Sequence, residues 1–372
     1  MSLALRSEVV RIPFRDPFRI ARTLETGDAG GMTGVIIELS STARPGVVAL
    51  GEGYPDEYYG ETAGTVEAVL PLLLAAVETV EDRLVGPFVD LPTARAALVE
   101  AADLMNAAIG HNGAAKCALD IALHDLVGRT LGLPVHALLG LTSAIPPTDF
   151  TIGIDEPAIV AERAARAARF PALKIKLGGP ADLETLAAVR AVYDGPIRVD
   201  ANTGWTLEDG RRLLPDLVRL GVELIEQPFP ARRLDDLAAL QAISPLPIVA
   251  DESAVTIDDL EGLVGVVAGV NVKLAKCGGP GPAARMLARA RELGFRTFLG
   301  CMEETSVGIA ASAAVASLAE WVDLDGSLLL ATDPFEGLDL GDDCRWRLTD
   351  APGLGIRRRV RADPPGEPIG RP

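Results

Sequence analysis

The chain is 372 residues long, 48% hydrophobic but only 4% aromatic, with a formal charge of −17. That length suits two domains or one large barrel with an addition, cored mainly by Ala, Leu, Val and Ile. The acidic excess, 52 residues against 35 basic ones, disfavours nucleic acid and anionic membrane as partners and leaves a small substrate open.

The N-terminal stretch MSLALRSEVVRIPFRDPF has no long apolar h-region and no small-residue cleavage site. No run approaches about 18 uninterrupted apolar residues, so no membrane span is expected. Cys117, Cys277, Cys301 and Cys344 are widely spaced without a CxxC pair, which fits free thiols in a reducing compartment. A cytoplasmic location and a homo-oligomer are the expectations.

Strands are predicted at Val9–Phe14 and Gly34–Ser40, the second rich in β-branched residues, with a Gly-rich loop at Gly27–Gly34. Helical patterns follow at Thr62–Val80 and Thr93–Ala108. A third helix, Ala114–Leu131, stops at Gly132 and Pro134. These elements predict an α+β domain over residues 1–125.

From Phe150 the pattern changes. Short apolar runs at Phe150–Ile154, Ala172–Leu177, Ile197–Asp200, Leu224–Glu226, Ile248–Ala250, Val270–Leu274, Arg296–Leu299 and Trp321–Leu324 alternate with helical stretches. Eight such units predict a closed parallel barrel over residues 126–344 rather than an open doubly wound sheet, which would show a Gly-rich phosphate turn after its first strand.

Five ionisable positions fall at or near the C-terminal ends of successive strands, where a barrel of this type places its active site: Lys176, Asp200, Glu226, Asp251 and Lys273. Asp200, Glu226 and Asp251 lie 26 and 25 residues apart, one strand-helix unit each. Three adjacent carboxylates need a cation between them, and an all-oxygen set suits Mg²⁺, with Mn²⁺ as a substitute. Taken singly, each carboxylate is better read as a helix cap or an arginine partner; the shared phase favours a metal site.

Lys176 and Lys273 are candidate bases on opposite sides of the barrel mouth. A free lysine titrates near about 10.4, whereas a useful base needs roughly 7–8. Lys174, on the same strand face as Lys176, is expected to push it down by like charge, and Lys276 to do the same for Lys273. Two bases on opposite faces of one carbon can take a proton from one side and return it on the other. A cation holding the substrate carboxylate would stabilise the charge that develops on it. That is racemase or epimerase geometry.

With these residues the chain resembles the enolase superfamily, in its muconate-lactonizing subgroup. The resemblance rests on Lys174-Ile175-Lys176, Asp200-Ala201-Asn202, Ile225-Glu226-Gln227-Pro228, Ala250-Asp251-Glu252-Ser253 and Asn271 through Gly279. It implies a modified (β/α)7β TIM-type barrel under an N-terminal α+β capping domain that is completed by the C-terminal tail, residues 345–372. It also implies Mg²⁺ at Asp200, Glu226 and Asp251, bases at Lys176 and Lys273, and supporting roles for Asn202 and Lys276.

Within the subgroup, Asp323-Leu324-Asp325, Phe150 through Asp155, and Cys301-Met302-Glu303-Glu304 look like those of dipeptide epimerases. The resemblance implies that Asp323 and Asp325 hold the α-ammonium of a dipeptide, and Lys174, Arg22 and Glu304 are further substrate-binding candidates. The implied activity is Mg-dependent inversion of the α-carbon of a dipeptide's C-terminal residue. The alternatives are muconate cycloisomerase, o-succinylbenzoate synthase and N-acylamino acid racemase, whose substrates lack the free ammonium. A scaffold barrel without catalysis predicts loss of a lysine or carboxylate, and none is missing. Arg19 and Arg22 could meet an acidic substrate side chain, and Tyr54 and Tyr58–Glu61 could line the pocket. His111, His124 and His136 lie outside the strand-end set and are read as structural.

Overall fold

The structure, a computed structural model, describes residues 2–23 and 30–359. Residues 27–29 of the predicted loop Gly27–Gly34 and the last residues of the expected C-terminal return lie outside them, and residues 31–34 of that loop belong to a strand.

A three-stranded antiparallel sheet opens the chain: β1 (Leu3–Pro13), β2 (Gly31–Ser41) and β3 (Val48–Gly53). Strand β1 begins well before the predicted Val9, and β3 was not predicted at all. Central β2 is apolar on both faces. Val35, Ile37 and Leu39 enter the core of this first domain, while Ile36 packs into the barrel core.

Helix α1 (Ala63–Val77) starts at a capping box between Thr62 and Thr65 and buries Val66, Leu70, Leu73 and Val77 on one stripe. Together with a 3₁₀ turn and α2 (Glu81–Val85), the stretch Ala63–Val85 has the length and apolarity to cross a membrane. Its stripe instead packs in the first domain's core. Helix α3 (Leu91–Ala108) is capped by Asp90, whose carboxylate accepts from Thr93 N.

Helix α4 (Gly113–Leu131) is buried from Ala114 to Gly128 and ends at Gly132 in the left-handed conformation. It feeds both cores, with Cys117 and Ile121 on the barrel side and Ala114, Ala118 and Ala122 on the other. The boundary expected between residues 125 and 126 falls inside this helix. Strand β3 lies so close to α4 that a Cβ on Gly51 would sit 2.0 Å from the Ala118 carbonyl oxygen. Gly51→Ala is therefore expected to lower stability by about 1–3 kcal/mol. Urea unfolding of the variant checks this, and an unchanged midpoint would mean that the sheet and α4 are not in such contact.

Eight parallel strands follow in sequential order: β4 (Phe150–Ile152), β5 (Leu173–Lys176), β6 (Ile197–Asp200), β7 (Val222–Glu226), β8 (Ile248–Ala250), β9 (Gly269–Val272), β10 (Arg296–Gly300) and β11 (Trp321–Asp323). Closure between last and first strands comes from Asp149 N donating to Val322 O at 3.0 Å. Helices such as Asp182–Arg190, Leu207–Arg219 and Pro280–Glu292 cover the outside. The architecture is a parallel barrel carrying an N-terminal antiparallel-sheet domain. Beyond β11 the chain returns toward that domain. Phe335–Glu336 pairs with Arg357–Arg358, Leu354 N donates to Asp125 of α4, and Arg358 meets Glu8 and Glu38 of β1 and β2.

Candidate active site

Strand register places the site. Lys176 on β5 pairs with Asp200 on β6, and Asp200 with Glu226 on β7, so the three side chains stand at one level. Asp251 follows the end of β8 at the same mouth. One oxygen each from Asp200, Glu226 and Asp251 lies within 4.8 Å of the others, and all three residues are buried.

The backbone just past these strands is unusual. Asn202, Thr203 and Gln227 take positive φ of 40°, 68° and 32°. Strain of that kind persists only where the surroundings enforce it. At Gln227 the enforcement is visible. Its Oε1 accepts from Asp251 N (2.9 Å) and Ser253 N (3.1 Å), and its Nε2 donates to Phe229 O (2.8 Å) and Ser253 Oγ (2.9 Å). Gln227 thus fixes the turn that presents Asp251. Asn271 of β9 donates to Glu226 Oε1 at 2.8 Å and orients the central carboxylate. Neither role was read from the sequence. The Asn in the apolar run Gly269–Val272 is the signal that could have found one of them, since a strand interior rarely keeps an amide without a partner.

Four ammonium groups surround the carboxylates. Lys176 Nζ lies 2.7 Å from Asp200 Oδ2, and Lys273 Nζ lies 3.0 Å from Asp251 Oδ2. Lys276 Nζ is saturated. It contacts Asp251 Oδ1 (2.5 Å) and the carbonyls of Asp251 (2.7 Å), Ala254 (2.9 Å) and Asn271 (3.0 Å). Lys174 is buried inside the barrel and bridges Asp200 (3.2 Å), Glu226 (2.8 Å) and Asp323 (2.9 Å).

These contacts correct the expected electrostatics. Burial opposes charge on Lys273, but the Asp251 carboxylate outweighs it and holds the ammonium above a lysine's ordinary value. Lys174 is likewise raised against burial by Asp323, Glu226 and Asp200. Lys273 was expected to be pushed down by a neighbouring lysine; the Asp251 carboxylate reverses that sign. Burial and the charge of Asp200 push Glu226 up to about 7, with Lys174 pulling the other way. Asp251 is held below the carboxylate range in spite of burial, by Lys273 and Lys276.

A hard divalent cation fits this donor set. Every ligand atom is an oxygen. Glu226 Oε2 accepts no aligned hydrogen bond although Lys174 Nζ is close, and Asn202 Oδ1 and Glu252 Oε2, on the turns after β6 and β8, are buried without partners.

The remaining candidates divide. The structure brings Arg22 to the site but not as a free cation. Its guanidinium bonds Glu252 Oε1, lies 3.8 Å from Asp56 and stacks on the Tyr58 ring at 4.5 Å. Arg19 is instead 3.9 Å from Asp155. Both guanidiniums face carboxylates of this chain. Glu304 is buried with Oε1 unpartnered, and burial with the nearby Glu52 charge pushes it up to about 8. Glu52 of β3 ties the first domain to this corner, accepting from Thr305 N (2.9 Å), Thr305 Oγ1 (2.6 Å) and Gly308 N (2.8 Å). Asp323 Oδ1 accepts from Thr151 Oγ1 (3.0 Å), and Asp325 Oδ2 from Thr151 N (2.5 Å).

Comparison with known proteins places this geometry. Residues 6–140 match the mandelate racemase/muconate lactonizing enzyme N-terminal domain, and residues 158–362 match the enolase C-terminal domain-like family. An L-Ala-D/L-Glu epimerase of Bacteroides thetaiotaomicron is 38% identical over 84% of this chain and 79% of its own length. An L-Lys-D/L-Arg epimerase of Methylococcus capsulatus is also 38% identical, over 92% of this chain and 95% of its own. The crystal structure of a dipeptide epimerase from Enterococcus faecalis, complexed with Mg and L-Leu-L-Tyr, superposes with a TM-score of 0.83 at 31% identity, covering 96% and 99% of the two chains. With a matched cap, a matched barrel and its row of strand-end carboxylates, the chain belongs to the enolase superfamily, in the mandelate racemase/muconate lactonizing enzyme family.

Proposed function

We propose that this chain is a Mg²⁺-dependent dipeptide epimerase that inverts the α-carbon of the C-terminal residue by moving a proton between two lysines. One observation carries the reading. Lys176 and Lys273 come from opposite sides of the barrel and meet the two outer members of the carboxylate row, Asp200 and Asp251. A carbon held over that row has an amine on each face. The relatives support the substrate class, since their names pair epimerisation with dipeptides of acidic, basic and apolar residues.

Asp200, Glu226 and Asp251 would hold the cation, and Mn²⁺ would serve in place of Mg²⁺. When bound, the cation supplies positive charge against the negative charge that develops on the substrate carboxylate. The lysine that enters neutral removes the α-proton; the other, as ammonium, delivers a proton to the opposite face. Lys276, with its four acceptors, holds the Asp251 turn in place and has no proton to spare. Asp323, at the end of β11, and Asp325 beyond it would receive the dipeptide's ammonium. That pairing disfavours N-acylated substrates, which carry no charge there.

A dipeptide library incubated with the protein and Mg²⁺ in D₂O, read by mass spectrometry, tests this reading. The expected result is deuterium at one α-carbon with inversion, confined to a subset of side chains. A library recovered without any deuterium would overturn it.

A further inference from the structure

The barrel seam holds carboxyl groups that the metal row does not use. Asp149 lies just before β4, Asp323 ends β11, and Asp325 lies two residues further on; all are buried. Asp149 is pinned at both ends. Its N–H makes the closing bond to Val322, and its Oδ2 accepts from Arg198 Nη1 at 2.8 Å. Its Oδ1 meets no donor, yet the side chain lies within hydrogen-bonding reach of Asp323. Two oxygens that both only accept do not share that contact in a buried seam. Like charges there repel strongly, and one carboxyl must carry a proton.

The neighbours decide which one. Asp323 has Lys174 Nζ at 2.9 Å and Thr151 Oγ1 at 3.0 Å, both donors, which favour its charged form. Arg198, which faces Asp149, divides its charge with Glu223 at 2.8 Å. Asp325 faces Asp323 from the other side and takes Thr151 N. Burial and the charge of Asp323 push Asp149 well above the carboxylate range in spite of Arg198. Asp323 is held below that range against burial, first by Lys174 and then by its bond to Asp149.

We propose that Asp149 is a positioning residue for the dipeptide's ammonium: a neutral carboxylic acid in the barrel seam that donates a hydrogen bond to Asp323 and fixes the direction of that carboxylate. The proposal rests on the epimerase reading for its substrate, but not for its proton. Asp149 never touches the dipeptide. It acts through Asp323, orienting that carboxylate together with Lys174 and Thr151, and it adds no negative charge of its own beside Asp323.

Two variants and one spectrum test it. Asp149→Ala removes the donor and is expected to raise KM for a dipeptide about tenfold to hundredfold, with a smaller change in kcat. Asp149→Asn keeps both a donor toward Asp323 and an acceptor for Arg198, and is expected to bring KM back to within about threefold of the parent. Difference infrared spectroscopy of the parent against Asp149→Asn at neutral pH is expected to show the carbonyl stretch of a protonated carboxylic acid in the parent alone. The infrared difference decides even if the alanine variant does not fold. Absence of that band, or an asparagine variant as impaired as the alanine one, would overturn the proposal. A parent that turns over no dipeptide would defeat the epimerase reading, while the band would still decide where the proton sits.

Discussion

Lys273→Ala is expected to lower epimerisation by about 10²–10⁴-fold or more, because no neighbour can take over its proton transfer. Its ammonium has the Asp251 carboxylate at 3.0 Å and the Met302 sulfur at 3.9 Å, which leaves N–H capacity for a substrate. Lys276, three residues on, is spent on four oxygens and cannot replace it. Lys176→Ala should fall as far, for the same reason on the other face. The two losses differ in what they leave behind. With one lysine gone, the other still reaches the α-proton of one stereoisomer and can exchange it with solvent without inversion. In D₂O, Lys273→Ala should therefore label one stereoisomer, and Lys176→Ala its mirror partner at that carbon. Lys273→Arg sharpens the point. It keeps the positive charge but does not give up a proton at accessible pH, so it should be as inactive as alanine. An active arginine variant, or labelling of the same stereoisomer by both alanine variants, would sink the two-base model.

The barrel and its metal row were legible because their signal is periodic. A strand end recurs every strand-helix unit, and a carboxylate or lysine kept in that phase marks one mouth. Local signals also set the ends of α1 and α4, through Thr62 and Gly132. What stayed illegible depends on contacts between distant segments. Strand β3, Val-Ala-Leu-Gly-Glu-Gly, went unread because two glycines weaken a strand pattern; they are there because α4 lies against them. Lys174 read as a repulsive neighbour of Lys176, since in sequence only their separation is visible. Its true surroundings are carboxylates from β6, β7 and β11. Arg22 read as an unspent cation, and only the fold brings Glu252, 230 residues away, to meet it. The bond from Asp149 N to Val322 O, which closes the barrel and brings Asp149 beside the end of β11, has no local trace at all.

Metal removal is the second large effect, and the charge balance around the row gives it a form beyond loss of activity. Chelation is expected to cut turnover more than about 10³-fold, with Mg²⁺ restoring it, since the row's main work is stabilising charge in the transition state. Without a cation, the ammoniums of Lys174, Lys176, Lys273 and Lys276 face the carboxyl groups of Asp200, Glu226, Asp251 and Asp323. That set is already near neutral, and it holds Lys273 protonated while Glu226 sits at about 7. Two further positive charges do not fit beside these protons in a buried site. Cation binding should therefore expel protons, first from Glu226 and then from a lysine, which would leave a neutral amine ready to act as base. Calorimetric titration with Mg²⁺ in two buffers of different ionisation enthalpy measures this directly, and the apparent heats should differ in the sense of proton release. Glu226→Gln removes both a ligand and an acid, so it should weaken Mg²⁺ binding and reduce the protons released together. Saturating Mg²⁺, at a hundred times its dissociation constant, should also stabilise the parent by about 2.7 kcal/mol. Heats independent of the buffer would show that the lysines keep their protons when the cation enters, and the base would then have to be freed by the substrate instead.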